Sequence, residues 1–425
     1  VDNLKIRLSY GSLGNQQIGY YDFIQTITTK GSMGDYSFDG TILGQHATVS
    51  DPVSGNQTWE KVISKNLGAD LNMFSNRLSL TADFYIRDTK GILGKGKSLP
   101  SIYGANEPQV NSNNLRTKGY ELVLGWRDSF KLAGSTFSYG ITGTFSDYTA
   151  EYTKCDNPSG LIGDPYVGKK YGEIWGYKVD GLFRNDEEAA EYASRVDLSK
   201  VAAGYYSATG AYGKGVRGGD IKYLDLDGSG IVDGGKGTLE DPGDRRVIGN
   251  SSPRYQYGLT LNLSWYGFDL SVFMQGIGRL DWYPGADNLR FWGPYSRPYA
   301  TFIPKNFMSQ VWSESNPDAY LPRARAYTSL NSTQGTAYYT NDRYLQNLAY
   351  CRLKNLTLGY TIPKRLTSKV GIKECRVYFS GENLATWSAL KNDFLDPEQA
   401  AADSDKKSNV YPWCRTYSVG LNLTF

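Results

Sequence analysis

The residues best suited to chemistry are the carboxylates between Asp225 and Asp233. Asp225, Asp227 and Asp233 occupy positions 1, 3 and 9 of a short loop, with Gly230 at position 6. Oxygen ligands at this spacing suit a hard cation such as Ca²⁺, and a hydroxyl and a backbone carbonyl add further oxygens. The pattern predicts a calcium site made by Asp225, Asp227, Ser229, Ile231 and Asp233.

The acid that normally closes such a loop is missing. Position 12 is Lys236 rather than Glu, so either Glu240 or Asp241 closes a longer loop or no ion binds. The alternative interpretation is a solvated Asp/Gly turn.

A second apparent motif is the segment Gly91 to Ser98, which matches the phosphate-loop pattern G-x-x-x-x-G-K-[ST] residue for residue. A phosphate loop needs a buried strand before it and a helix N-terminus after it. The preceding strand pattern is half polar, and Pro100 and Gly104 replace any helical pattern. These residues indicate a Gly/Lys loop at a strand end rather than a nucleotide site.

The remaining reactive side chains disfavour an enzyme. His46 is the only histidine, and the four cysteines lie far apart without a CxxC pair, which disfavours a zinc site and a His-dependent triad. The cysteines are Cys155, Cys351, Cys375 and Cys414. The formal net charge of +3 identifies no class of partner, and we expect none that is a nucleic acid.

The end of the chain shows the type of element that must position these residues. Alternate side chains from Tyr417 to Phe425 are apolar, and those between them are small or polar. A strand of about 9 residues with an aromatic at each end is typical of one that crosses a bilayer. A strand of a soluble sandwich shows the same alternation, so this stretch alone leaves both open.

Ten segments share this two-residue period. With 34 Tyr and 48 Gly and no apolar run near 18 residues, the composition favours strands over membrane helices. The predicted strands lie near residues 4–10, 62–71, 78–86, 120–126, 137–145, 255–265, 268–274, 344–360, 375–379 and 417–425. The apolar phase changes within the eighth, which predicts a β-bulge near Asn355.

Long loops and tight turns alternate between these strands. This segregation is typical of an all-β, antiparallel transmembrane β-barrel with periplasmic turns and long extracellular loops. The longest loop, 148–254, contains the Asp-rich loop and a helix that begins at an Asn185-x-x-Glu188 capping box and runs to about Arg195.

Aromatic residues crowd another loop, between residues 279 and 342. Two interpretations are open: a surface that faces outward and grips a substrate or partner, or a loop that packs on itself. The candidate contact residues are Trp282, Tyr283, Phe291, Trp292, Tyr295 and Tyr299.

Several segments in a fixed order resemble one family, the SusC/RagA-like TonB-dependent outer-membrane transporters. They are 4–15 (LKIRLSYGSLGN), 58–61 (TWEK), 76–80 (NRLSL), 219–223 (GDIKY), 248–253 (IGNSSP), 353–360 (LKNLTLGY), 381–384 (GENL), 396–398 (DPE) and 411–412 (YP). The resemblance covers essentially the whole chain.

The resemblance implies a 22-stranded barrel of which residues 1–425 supply the C-terminal ten strands. The N-terminal plug, the TonB box and the first strands are expected elsewhere in the same polypeptide. It also implies a SusD-like surface lipoprotein as partner. A terminal aromatic is general in such barrels, so Phe425 is expected to act as the assembly signal.

The function implied is TonB-dependent import of an oligomeric nutrient, a glycan or a peptide, across the bacterial outer membrane. No covalent catalysis is expected, and Ca²⁺ is the only cofactor considered. A passive porin or surface adhesin barrel is one alternative. A secreted carbohydrate-binding β protein with a calcium loop is another.

Overall fold

The computed structural model describes residues 1–15, 24–30, 37–38, 41–42, 46–55, 57–96, 99–206, 215–296, 303–325, 330, 335–392, 394–402 and 411–425. Ten long strands form one antiparallel sheet in which each strand pairs with its neighbours in chain order. They are β1 (Asn3–Asn15), β2 (Glu60–Met73), β3 (Leu78–Lys95), β4 (Gln109–Leu132), β5 (Ser135–Lys154), β6 (Arg254–Trp265), β7 (Phe268–Arg279), β8 (Tyr350–Thr361), β9 (Glu374–Ser388) and β10 (Thr416–Thr424). All ten predicted strands are therefore present.

The pairing register sorts the side chains onto two faces. Leu8 of β1 lies opposite Leu67 of β2, which lies opposite Phe84 of β3. Directly opposed residues share a face, so this face is apolar across neighbouring strands. Leu8 is 81% exposed within the chain, as expected for a side chain whose surroundings are lipid.

The opposite face carries ion pairs that cross three strands. Arg7 of β1 lies 2.9 Å from Asp70 of β2 and 2.8 Å from Asp83 of β3. Gly68 makes the longer reach possible, because a Cβ there would lie 2.5 Å from the Asp83 carboxylate. This face therefore holds the polar side chains, as the inner face of a membrane barrel does.

The predicted bulge is confirmed in β8. The pairing of β8 with β9 shifts register between Leu353 and Asn355, and the pairing with β7 shifts at the same place. Lys354 is the residue passed over by both ladders. One extra residue moves the following side chains to the other face, which explains the phase change in the sequence.

The phosphate-loop pattern is not a phosphate loop in the part that the structure describes. Gly91 to Lys95 belong to β3, and the next described element is a single 3₁₀ turn, Ser101–Tyr103. Lys97 and Ser98 lie outside the described residues.

The sheet is open. β1 and β10 lie at its two edges, and among the described residues no ladder joins them. Unpaired backbone groups are costly in lipid, so each edge needs a further strand. The expectation that these strands come from the same polypeptide stays a prediction.

Turns and loops segregate to opposite ends of the sheet, as predicted. Residues 74–77, 133–134, 266–267 and 362–373 connect strands at one end, and residues 16–59, 96–108, 155–253, 280–349 and 389–415 do so at the other. The long loops carry short strand pairs of their own. These are Ile27–Lys30 with His46–Val49, Ser37–Phe38 with Thr41–Ile42, Glu173–Tyr177 with Arg245–Asn250, Val179–Leu182 with Ile221–Tyr223, and Asp281–Trp282 with Gln346–Asn347.

The described helices are short. They are α1 (Asp186–Ala193), α2 (Ala203–Tyr206), α3 (Leu289–Trp292) and α4 (Lys364–Thr367), with 3₁₀ turns at Gly293–Tyr295, Met308–Gln310 and Ser368–Val370. The α1 capping box is confirmed, because the Asn185 side chain accepts a 2.8 Å hydrogen bond from the Glu188 amide. Among the residues with a described placement, no helix is long and apolar enough to cross a membrane.

Candidate functional site

The hydrophobic core lies in the loops rather than in the wall of strands. One cluster of buried side chains draws on residues 155–253, 280–349 and 389–415, which we call the loop domain. Its members include Phe183, Leu198, Tyr205, Ile221, Tyr223, Trp292, Tyr295, Trp312, Leu321, Tyr344, Leu348 and Leu395. The three loops therefore fold as a single unit above the sheet.

A buried asparagine joins two of these loops. The Asn341 side chain is fully buried and donates hydrogen bonds to the Tyr283 hydroxyl at 3.1 Å and the Tyr339 carbonyl at 2.8 Å. Its nitrogen also lies 3.5 Å from the hydroxyl of Tyr223, which belongs to the 155–253 loop. Its oxygen accepts from the Tyr344 amide at 3.1 Å. Buried polar groups so satisfied fix one arrangement of the surrounding chain.

An ion pair makes a second connection between the same loops. Asp220 is buried, and its carboxylate accepts hydrogen bonds from Arg325 at 2.6 Å and from the Arg217 amide at 2.8 Å. Burial raises the pKa of Asp220 to about 6, although the Arg325 guanidinium acts in the opposite direction. The Arg325 guanidinium also lies 4.1 Å from the Tyr205 ring centroid.

The aromatic loop belongs to this core. Trp292 is fully buried, with its ring centroid 5.0 Å from that of Tyr344, and its indole nitrogen donates to the Gly285 carbonyl at 3.1 Å. The Tyr295 hydroxyl donates to the Pro322 carbonyl at 2.5 Å. Burial extends to Trp282, Tyr283 and Phe291.

The prediction that these rings face outward is therefore wrong for Trp282, Tyr283, Phe291, Trp292 and Tyr295. Their partners lie far along the chain, and the loop packs on itself and on its neighbours. Tyr299 lies outside the described residues.

The Asp-rich loop brings three carboxylates together. Oxygen atoms of Asp225, Asp227 and Asp244 all lie within 4.8 Å of one another. Asp225 also accepts hydrogen bonds from the amides of Gly228 at 2.8 Å and Gly230 at 3.0 Å. These bonds wrap the backbone around the carboxylate. A carboxylate oxygen can accept more than one contact, so the set still fits a hard cation.

Asp244 is the residue that sequence reasoning missed. It is fully buried, and its two oxygens accept hydrogen bonds from the Leu226 amide at 2.6 Å and the Asp233 amide at 2.9 Å. Burial raises the pKa of Asp244. The only sequence signal is an acid a few residues beyond the predicted loop, preceded by Pro242 and Gly243.

One predicted acid, Asp233, is not part of this group, whereas the predicted ligand Ser229 contacts it, because the Ser229 amide donates to the Asp227 carboxylate at 2.9 Å. The Asp233 carboxylate accepts from the Gly235 amide at 2.7 Å and is not one of the three clustered acids. The Ile231 carbonyl accepts from the Ser229 hydroxyl at 3.0 Å. Among the described residues, the third carboxylate of the cluster is Asp244. The sequence predicted Asp233 for this place, with Glu240 or Asp241 as the acid that closes a longer loop.

Phe425 follows β10 directly. It is 72% exposed, and it continues the alternation of Leu421 and Leu423, which are also exposed. β10 pairs with β9 on one side only, so Phe425 lies at the turn end of an open edge.

The comparisons with known proteins cover the chain end to end. It is 26% identical over 444 residues to TonB-dependent receptor P3 of Formosa agariphila, and 21% identical over 445 residues to TonB-dependent receptor SusC of Bacteroides thetaiotaomicron. These alignments cover 99% and 100% of this chain but 39% and 38% of the relatives, so the chain spans about two fifths of their length. No protein-family model matches the chain.

Solved structures show the same fold. The structure of the RagAB peptide transporter matches with a TM-score of 0.69 at 22% identity, covering 99% of this chain and 41% of that one. A RagAB peptide importer in the open-open state matches with a TM-score of 0.67 at 21% identity, covering 100% and 40%. The chain is similar in sequence to SusC and other TonB-dependent receptors, and in fold to the RagAB transporter. The predicted resemblance is confirmed, and the sheet is a section of an outer-membrane β-barrel.

The burial of Trp292 leads to a stability prediction for the loop domain. Trp292→Ala leaves a cavity in the loop domain, and we expect it to cost about 3–5 kcal/mol. Hydrogen exchange of the amides in residues 280–349, measured in the full-length protein, would show this loss of stability as faster exchange.

Trp387 provides the matched control, because it is 57% exposed on β9. Trp387→Ala should change protection in the loop domain by less than about 0.5 kcal/mol. Equal effects of the two substitutions would contradict the placement of Trp292 in the core.

Phe425 leads to a prediction about assembly of the full-length protein. Deleting it removes a side chain with little packing, so we expect less folded protein in the outer membrane and an unchanged melting temperature for what assembles. Phe425→Tyr keeps the terminal aromatic and should restore the yield. Normal yield with a lowered melting temperature would instead make Phe425 a packing residue.

Proposed function

We propose that the chain is part of a TonB-dependent importer that takes up an oligomeric nutrient, a glycan or a peptide, with a SusD-like surface lipoprotein. The relatives are named as receptors or transporters rather than enzymes. The match at 26% identity over 99% of the chain carries the proposal. The contact with TonB is assigned to the part of the relatives that lies outside their alignment with this chain.

The loop domain gives this proposal a physical basis. Here three long loops share one core and two buried polar connections. A surface that must hold a large ligand or a lipoprotein benefits from such rigidity, because less conformational entropy is lost on binding.

The test is uptake by cells that carry the full-length protein and its neighbouring lipoprotein. Labelled oligopeptides and oligosaccharides would be compared with and without functional TonB. We expect one class to enter, and its uptake to fall to background without TonB.

The other functions give different results. Uptake that continues without TonB would identify a passive porin, and surface binding without uptake would identify an adhesin. A protein that stays in solution without detergent would be the secreted carbohydrate-binding alternative.

We also propose that the Asp-rich loop holds Ca²⁺, with Asp244 joining Asp225 and Asp227. Three carboxylates with oxygens within 4.8 Å of one another repel each other unless a cation or protons lie between them. The hydrogen bonds from Ser229 hold the pKa of Asp227 below its usual range, which favours the charged form that binds a metal.

Calcium removal tests this second proposal. At 100 times its dissociation constant a bound ion stabilises the folded state by about 2.7 kcal/mol, so chelation should lower the melting temperature of the loop domain. Asp227→Asn should abolish that response, and Asp241→Asn, in the same loop but outside the cluster, should retain it. An identical melting temperature with and without chelator in the unaltered protein would refute calcium binding.

A further inference from the structure

The apolar face of the sheet contains a groove. It crosses the sheet from β1 to the start of β6 near the middle of the strands, with a volume of about 670 Å³. Its apolar lining includes Leu8, Leu67, Phe84 and Tyr120, and its charged lining is Lys65, Lys118, Arg254 and Asp147.

The register shows that both lysines belong to the outward face. Tyr10 lies opposite Lys65, Lys65 opposite Ile86, and Ile86 opposite Lys118. Since opposed residues share a face, the lysines flank Ile86 on the side that carries Leu8 and Leu67. Two strand spacings separate them, about 10 Å between their Cα atoms.

The lysines lie at the margin of the apolar band. Toward the turn end, the same face continues on β2 with Leu67 and Leu71 and on β4 with Tyr120 and Leu122. Beside them runs a row of rings, with centroids 6.3 Å apart from Phe84 to Tyr120. Aromatic rows of this kind mark the interface between hydrocarbon and headgroups.

Four cationic side chains at this margin outnumber three carboxylates; they are Lys65, Lys118, Arg116 and Arg254 against Asp88, Asp147 and Glu151. Arg116 pairs with Asp88 at 2.6 Å, and Arg254 pairs with Asp147 at 2.5 Å. Lys65 and Lys118 are exposed, and no carboxylate of the described residues lies within 4.0 Å of either ammonium group. A cation at the edge of a lipid layer is stabilised by an anionic headgroup.

We propose that this groove binds a phosphorylated lipid of the outer leaflet. An acyl chain lies against Leu67, Phe84 and Tyr120, and the phosphate lies between the ammonium groups of Lys65 and Lys118. The flexible four-carbon stems of the lysines allow both to reach one phosphate across the intervening strand. Long loops lie on the extracellular side of such barrels, which places the groove in the outer leaflet.

Native mass spectrometry of the full-length protein tests the proposal, with monophosphoryl lipid A as the probe. At roughly 1 kcal/mol for each basic side chain, we expect Lys65→Gln with Lys118→Gln to weaken binding about 30-fold. The corresponding double Lys→Arg variant should retain binding because it keeps both charges.

The control removes the same number of charges from the opposite face. Lys5→Gln with Lys131→Gln should bind the probe as the unaltered protein does, and heat-modifiable mobility in electrophoresis would show that every variant is folded. The same lipid without its phosphate should bind the unaltered protein only as weakly as the double Gln variant. Two results would overturn the proposal. One is equal binding of the probe by the double Gln variant and its control, and the other is equal binding of the lipid with and without its phosphate by the unaltered protein.

Discussion

The whole architecture depends on the need to pair every backbone amide and carbonyl where the chain meets lipid. An unpaired group in hydrocarbon costs several kcal/mol, and only a closed sheet removes every edge. Here each strand pairs with the next from β1 to β10, and irregularity within the sheet is limited to local register shifts such as the one at Lys354. Irregular segments therefore lie beyond the strand ends, and the long ones all lie at one end of the sheet.

The same constraint decides where the chain buries its apolar side chains. Wall strands turn one apolar face toward lipid, so residues such as Val419 are 79% exposed within the chain. The polar face instead carries ion pairs such as that of Arg376 with Asp269, at 2.5 Å across β8. Among the described residues, the core cluster of buried apolar side chains therefore lies where the chain leaves the membrane, in the loop domain.

Local patterns predicted local structure well. The two-residue period located all ten wall strands, the phase change located the bulge beside Asn355, and the Asn185 capping box located α1. Contacts between distant residues were not predictable in this way. Neither the pairing of Trp292 with Tyr344 nor the hydrogen bonds from Asp244 to the Asp-rich loop leaves a periodic signal, because each depends on how separate loops meet.

The shared core of the loop domain restricts how such a protein can acquire a new specificity. The buried Asn341 side chain hydrogen-bonds to Tyr223 and Tyr283, and the buried Asp220 carboxylate is paired with Arg325. A single loop transferred from a related protein would therefore lose hydrogen-bond partners that the neighbouring loops supply. Recognition can change gradually only through exposed positions such as Met308 and Tyr338. A larger change would require the loops to be inherited together as one cassette.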